Sequence, residues 1–178
     1  DSSTSRGLGD VYKRQMKKSL DFIGLRGLSL VCNAAYIHSR VRFEEGAPER
    51  DRPLAGQSPY LVNAGLFYQH DDKGISASLL YNRIGKRIES VGVPMQDQNE
   101  DIPDIYEMPR NSLDLTFSKK IGKAVEIKAG IQDMLNSKIE YKQFVKLTDQ
   151  NGGKREREQL VRSYRPGVDI NVGVSLKF

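Results

Sequence analysis

The sequence predicts an all-β protein: an antiparallel transmembrane β-barrel fragment of about seven meandering strands. Three observations point there. Apolar residues recur with a period of two through most of the chain. The connections alternate between tight turns and long polar stretches. The alternating segments mostly have the length of a tilted membrane-crossing strand, about 9–11 residues.

The first fifteen residues, Asp1–Gln15, lack this rhythm and are rich in Ser, Gly and charge. They contain no apolar core segment and so do not read as a signal peptide. They resemble translated sequencing-adapter read-through, and a disordered native tail is the alternative. They are set aside from the fold, which leaves residues 16–178 as one barrel portion. Lys17–Ile23 reads as the tail of a strand. Leu28–Phe43 follows, with Leu28, Leu30, Cys32, Ala34 and Tyr36 as its best apolar face. Tyr60–His70 places Tyr60, Val62, Ala64, Leu66 and Tyr68 on one face, and Ile75–Asn82 does so with Ile75, Ala77, Leu79 and Tyr81. Arg110–Ser118 sets Leu113, Leu115 and Phe117 against Arg110, Ser112, Asp114, Thr116 and Ser118. Val125–Gln132 sets Val125, Ile127, Ala129 and Ile131 against Glu126, Lys128, Gly130 and Gln132. The cleanest case is the end: every even position from Val168 to Phe178 is apolar, and every odd one is polar or small.

The connections Gly24–Gly27, Asp71–Gly74 and Lys120–Lys123 are tight and contain Gly where a turn needs positive φ. Glu44–Pro59, Gly85–Pro109 and Asp133–Pro166 are long and polar. Short periplasmic turns and long extracellular loops are the pattern of an outer-membrane barrel. Within the last long connection, Tyr141–Leu147 and Glu156–Tyr164 flank Asp149-Gln-Asn-Gly-Gly153, a hairpin signal.

Composition narrows the function classes. The 178 residues include 28 Lys+Arg and 23 Asp+Glu, a formal charge of +5, with 38% hydrophobic residues. Mean hydropathy is −0.56. No apolar run reaches the length of a membrane-spanning helix, whereas alternation in a barrel wall averages hydropathy away. Positive and negative charges are interleaved, and no aromatic-plus-basic stacking face marks a nucleic-acid interface. With the single Cys32 and two histidines, His38 and His70, no metal site, cofactor or internal disulfide is expected. Neither a nucleophile elbow nor a phosphate loop occurs, Gly85-Lys-Arg87 included, so the chain is not read as an enzyme.

Several short motifs occur in order. Ser58-Pro-Tyr-Leu-Val-Asn-Ala-Gly-Leu66, Ala77-Ser-Leu-Leu-Tyr-Asn-Arg-Ile-Gly-Lys-Arg87 and Tyr106-Glu-Met-Pro-Arg-Asn-Ser-Leu-Asp-Leu115 are followed by Lys119-Lys-Ile-Gly-Lys123, Asp133-Met-Leu-Asn136, Tyr164-Arg-Pro-Gly167 and the terminal Phe178. The series, over about residues 17–178, resembles the C-terminal barrel of TonB-dependent receptors, in a Bacteroidetes-like form. The resemblance implies a bacterial outer-membrane location and a barrel of 22 strands around a plug. It implies energised uptake of a scarce nutrient of the siderophore, haem, cobalamin or oligosaccharide class. The implied partners are outer-membrane lipids, the barrel-assembly machinery, the small nutrient ligand, and the plug and earlier strands that couple the barrel to the TonB energiser. The plug and those strands are not in this sequence, so the chain alone is not expected to transport.

Site expectations follow from the faces. Tyr36, Tyr60 and Tyr81 near the long-loop ends, and Tyr68 near the short-turn end, are placed at membrane interfaces, where amphipathic rings sit best. Arg110, Asp114, Glu126 and Lys128 are expected to face the lumen as a charged network. Phe178, ending the last strand on its apolar face, is expected to be a barrel-assembly signal. The alternative reading is a small self-contained β-barrel or lipocalin-like soluble binding protein, in which the apolar positions would face inward.

Overall fold

A computed structural model of the chain describes residues 6–24, 26–44, 51–93, 101–122, 124–148 and 154–176. Eleven strands are present: β1 Arg6–Ser19, β2 Leu28–Arg42, β3 Tyr60–His70, β4 Ile75–Ile84, β5 Arg87–Ser90, β6 Ile105–Glu107, β7 Arg110–Ile121, β8 Val125–Gln132, β9 Ile139–Thr148, β10 Lys154–Tyr164 and β11 Asp169–Leu176. A single 3-10 turn, Asp21–Ile23, lies between β1 and β2, and no α-helix occurs among the described residues. Seven strands form one antiparallel meander in the order β1-β2-β3-β4-β7-β8-β11. The other four form a second sheet, β10-β9-β6-β5, built from the long connections. The meander is open, with β1 and β11 as its edges; no closed barrel is found among the described residues.

The strands expected from alternation are present, with the β9–β10 hairpin, except that, of Lys17–Ile23, read as the tail of a strand, only the part to Ser19 is extended and Asp21–Ile23 is the 3-10 turn. Two are additional: β5 and β6, of 4 and 3 residues, pair across residues 91–104. The other departure is β1. Residues 1–15 were to lie outside the fold, yet Arg6–Ser19 pairs with β2 over its full length, from Arg6↔Arg42 to Ser19↔Ser29. Backbone pairing is indifferent to side chains, and β2 offers fifteen residues of edge. Every described β1 side chain from Gly9 to Lys18 is exposed, so pairing alone holds this strand.

The register makes one face of the meander continuous. Leu30, Leu66, Leu79, Leu115, Ile131 and Ile170 form a single row across β2, β3, β4, β7, β8 and β11. The next row is Leu28, Tyr68, Ala77, Phe117, Ala129 and Val172. The apolar positions read from sequence therefore share one surface, and it is open: Val172, Val174 and Leu176 are 73%, 63% and 58% exposed. The opposite face is mixed, with Val31, Leu61, Phe67 and Leu80 among polar side chains. There Ser76 meets Ser118 (2.8 Å), and Ser78 meets Thr116 (2.5 Å).

The apolar band runs obliquely to these rows. On β2 the Leu30 row has Leu28 below it, towards the tight turns, and Cys32, Ala34 and Tyr36 above. On β11 the same row is the top, with Val172, Val174 and Leu176 below. Across five strand steps the band drifts by about one residue per step. With about 3.3 Å per residue and about 4.8 Å between strands, the strands tilt about 35° from the normal to the band. The eight steps from Leu28 to Tyr36 then make the band about 22 Å tall.

The tight turns hold this register. At the β1–β2 turn the Asp21 carboxylate accepts the Ser19 hydroxyl (2.6 Å) and the Gly27 N–H (2.9 Å). These bonds hold its pKa below the ordinary value. Gly27 has φ +75°, and a Cβ there would lie 2.2 Å from the Gln69 carbonyl oxygen. Gly122 has φ +60° but open space around it. Gly122→Ala should therefore cost only left-handed strain, about 1–2 kcal/mol. Gly27→Ala adds a backbone clash and should cost clearly more. Urea unfolding in detergent checks this, and equal midpoints for the two variants would remove the close approach from the account of the turn.

Candidate functional site

The end of the meander carrying the long connections is where its chemistry gathers. Ser58, Gly85, Ile88, Ile139 and Tyr141 are buried, and all come from the three long connections or the short strands within them. The four-stranded sheet thus has a small core of its own, whereas the meander has none.

The motifs interlock here in pairs. The Ser58 hydroxyl donates to the Tyr60 carbonyl (2.7 Å), and the Gly85 N–H donates to the same oxygen (3.1 Å). Gly85 must be glycine: a Cβ would stand 2.6 Å from the Tyr60 ring. Arg83 reaches the Tyr60 hydroxyl (3.4 Å) and Asn111 Oδ1 (2.8 Å), which also accepts the Tyr81 hydroxyl (2.9 Å). Arg87 holds Glu107 through two nitrogens, at 2.9 and 2.7 Å. Arg110 pairs with Asp133 (2.6 Å), whose backbone N–H donates to Asp114 (2.8 Å). Asn136 accepts the Gly167 N–H on its side chain (3.1 Å) and the Arg165 guanidinium on its carbonyl (2.9 Å). Asp133 and Asn136 have φ of +51° and +43°. Such left-handed residues persist where surrounding bonds over-determine them. Here those bonds clamp the exit of β8 to the entry of β11.

The expected site residues fall as follows. Tyr36 and Tyr60 are register partners at the long-connection edge of the apolar face, and Tyr81 shares that face. Tyr68 lies on it at the tight-turn end, between Leu28 and Ala77. Arg110, Asp114, Glu126 and Lys128 share the polar face. They do not form one network: Arg110 and Asp114 meet through Asp133, while Glu126 and Lys128 pair with each other at 3.3 Å. Arg110 Nε and Asp133 Oδ1 have no partner although buried. Phe178 lies outside the described residues. No group of three metal-ligating side chains occurs among the described residues.

Sequence reading missed the cationic and aromatic contacts of the four-stranded sheet. Lys86 Nζ lies 4.0 Å from the Tyr106 ring centre and 3.7 Å from that of Phe144. Arg162 lies over Tyr141 (4.2 Å) and Tyr164 (5.7 Å). These side chains come from segments far apart in sequence, so no spacing could announce them. Burial lowers the Lys86 pKa, and burial raises those of Tyr106 and Tyr141. No known protein family, curated protein or solved structure matches the chain.

Two predictions follow from this rim. Arg110→Ala leaves the Asp133 carboxylate largely buried without its cation and should cost about 3 kcal/mol. Gln at Asp133 together with Ala at Arg110 should recover part of that loss, read as a shift in the urea midpoint. The second concerns alkaline pH. Tyr106 and Tyr141 resist ionisation when folded but ionise near 10.0 when unfolded. Their contribution is complete below that value and is lost as pH rises through their raised folded values. Tyrosinate absorbance should show two late-titrating groups, one removed by Tyr106→Phe and one by Tyr141→Phe. A titration curve unchanged by either substitution would contradict the burial argument.

Proposed function

We propose that the chain is the C-terminal wall of an outer-membrane β-barrel, a portion of a TonB-dependent receptor for energised nutrient uptake. The observation that carries this reading is the oblique apolar band. It runs across one face of an antiparallel meander from β2 to β11, interrupted by Lys119 between Ile75 and Ile127, and many of its side chains are exposed. Its height of about 22 Å is close to the roughly 25 Å of an outer-membrane wall, and its tilt of about 35° falls in the range for such strands. Tyrosines lie along its upper edge and Tyr68 near its lower one, as expected of interfacial girdles. A monomeric soluble protein rarely leaves so large an apolar surface open.

The receptor assignment rests on the ordered motifs, five of which bond to one another along the rim, while Lys119-Lys-Ile-Gly-Lys123 lies at the tight-turn end. The polar face would line the lumen, and the unpartnered Arg110 and Asp133 atoms would lie towards the plug. An open sheet cannot satisfy its edges in lipid, so the wall needs the other strands of its barrel. Cargo would be bound by surfaces of which this chain supplies a part. A terminal aromatic in phase with the apolar face suits recognition by strand addition during assembly. In a receptor carrying this segment, deleting Phe178 should lower surface abundance without changing synthesis.

The sequence has no Trp, so a single one is a clean reporter. In brominated detergent micelles, Leu79→Trp on the apolar face should be strongly quenched, and Leu80→Trp on the polar face should not. Equal protection of both would overturn the membrane reading.

A further inference from the structure

We propose that β5 and β6 of the β4–β7 connection and β9 and β10 of the β8–β11 connection move as one unit, latched by the Lys86 ammonium between Tyr106 and Phe144. The inference concerns the four-stranded sheet and stands whether or not the meander lies in a membrane. The two connections share only three register pairs, Ile105↔Gln143, Tyr106↔Lys142 and Glu107↔Tyr141. Beyond this ladder the Met108 N–H donates to the Glu140 carbonyl (2.9 Å) and the Gln143 amide to the Pro103 carbonyl (3.1 Å), and so short a pair of strands is marginal by itself.

Two cationic contacts supplement it. Lys86 enters from the end of β4 and sits against one ring from each connection, Tyr106 and Phe144, which meet edge to face at 5.7 Å and 73°. A partly desolvated ammonium over two aromatic faces is a stronger contact than an exposed one. On the other side, Arg162 of β10 stacks on Tyr141 and reaches Glu89 of β5 at 4.0 Å. Glu89 and Arg162 lie on the two outer strands of the order β10-β9-β6-β5, so the sheet curls until its edges approach. The third connection joins it where the Gly56 N–H donates to the carbonyl of Ile88, the most buried side chain among the described residues (2.7 Å). A ligand that displaces either connection must then move both, and the coupling is reciprocal.

Hydrogen exchange of the full chain tests this, in detergent or in buffer if the chain disperses there. Lys86→Met keeps length and burial but removes the charge. It should speed exchange about tenfold in β9 and β10, which belong to the other connection. Lys86→Arg should restore protection to within about threefold. Phe144→Leu should in turn speed exchange in β5 and β6 by a similar factor. An effect of Lys86→Met confined to β5 and β6 would overturn the latch. If that variant does not fold, wild-type exchange of β5 and β6 in Phe144→Leu would overturn it equally. Failure of the Leu79 and Leu80 reporters, by contrast, would remove the membrane reading and leave the latch standing.

Discussion

Register is the constraint on which the rest of this structure depends. Strand side chains have a period of two, so a slip of one residue would carry a whole strand's apolar set to the polar face. Such a slip on β7 would replace Leu113, Leu115 and Phe117 in their rows by Ser112, Asp114 and Thr116. It would also detach Arg110 from Asp133. The register is held at both ends. Glycine turns fix it below, and the bonds of Ser58, Gly85, Asp133 and Asn136 fix it above. The motifs that look like recognition signatures in the sequence are, in space, the fasteners of that upper end.

A second consequence is the inversion of the usual place of a core. A single-layer sheet has no interior, and the meander leaves both faces accessible. Among the described residues the buried large apolar side chains, Ile88, Ile139 and Tyr141, lie instead in strands of the long connections. The meander therefore relies on its surroundings for burial, whereas the four-stranded sheet packs against itself. The chain thus carries an open apolar face and, apart from it, a small closed core. This division explains why average hydropathy says so little about it.

What could be read from the sequence follows from the same physics. Strands β2, β3, β4, β7, β8 and β11 have one wet and one apolar face, and alternation reveals them directly. The pairing of β9 with β10 agrees with the hairpin that Asn-Gly-Gly signals in the sequence. Strands β5 and β6 were not legible, because four residues and three residues cannot display a period and their pairing spans a long connection. Shared faces were legible for Arg110, Asp114, Glu126 and Lys128, since parity alone assigns them. Their partners were not, because Asp133 reaches Arg110 through a left-handed backbone that no pattern of residue types encodes. The Lys86 contact was equally hidden, with its three members on three different elements.

The edge strand β1 shows where backbone geometry and surface chemistry part company. By register it belongs to the meander as fully as any strand, with Tyr12 opposite Tyr36 and Met16 opposite Cys32. By chemistry it does not. The Leu30 row ends at Lys18, and the Ala34 row ends at Arg14, so β1 sets two cations on the mainly apolar face, where β7 sets one, Lys119, between Ile75 and Ile127. Lys18 lies near the tight-turn end with its ammonium over Phe22 (4.6 Å), where a long side chain can keep its charge at an interface. Arg14 lies between the levels of Tyr36 and Cys32, inside the band. On the membrane reading, a cation on the lipid face costs about 2–4 kcal/mol at mid-depth and less towards the interfaces. Reading down the band, the first residue of β1 that fits it without a charge penalty beyond Arg14 is Met16. The pairing of residues 6–15 then reflects the readiness of the β2 edge to accept an extended neighbour rather than any property of their side chains.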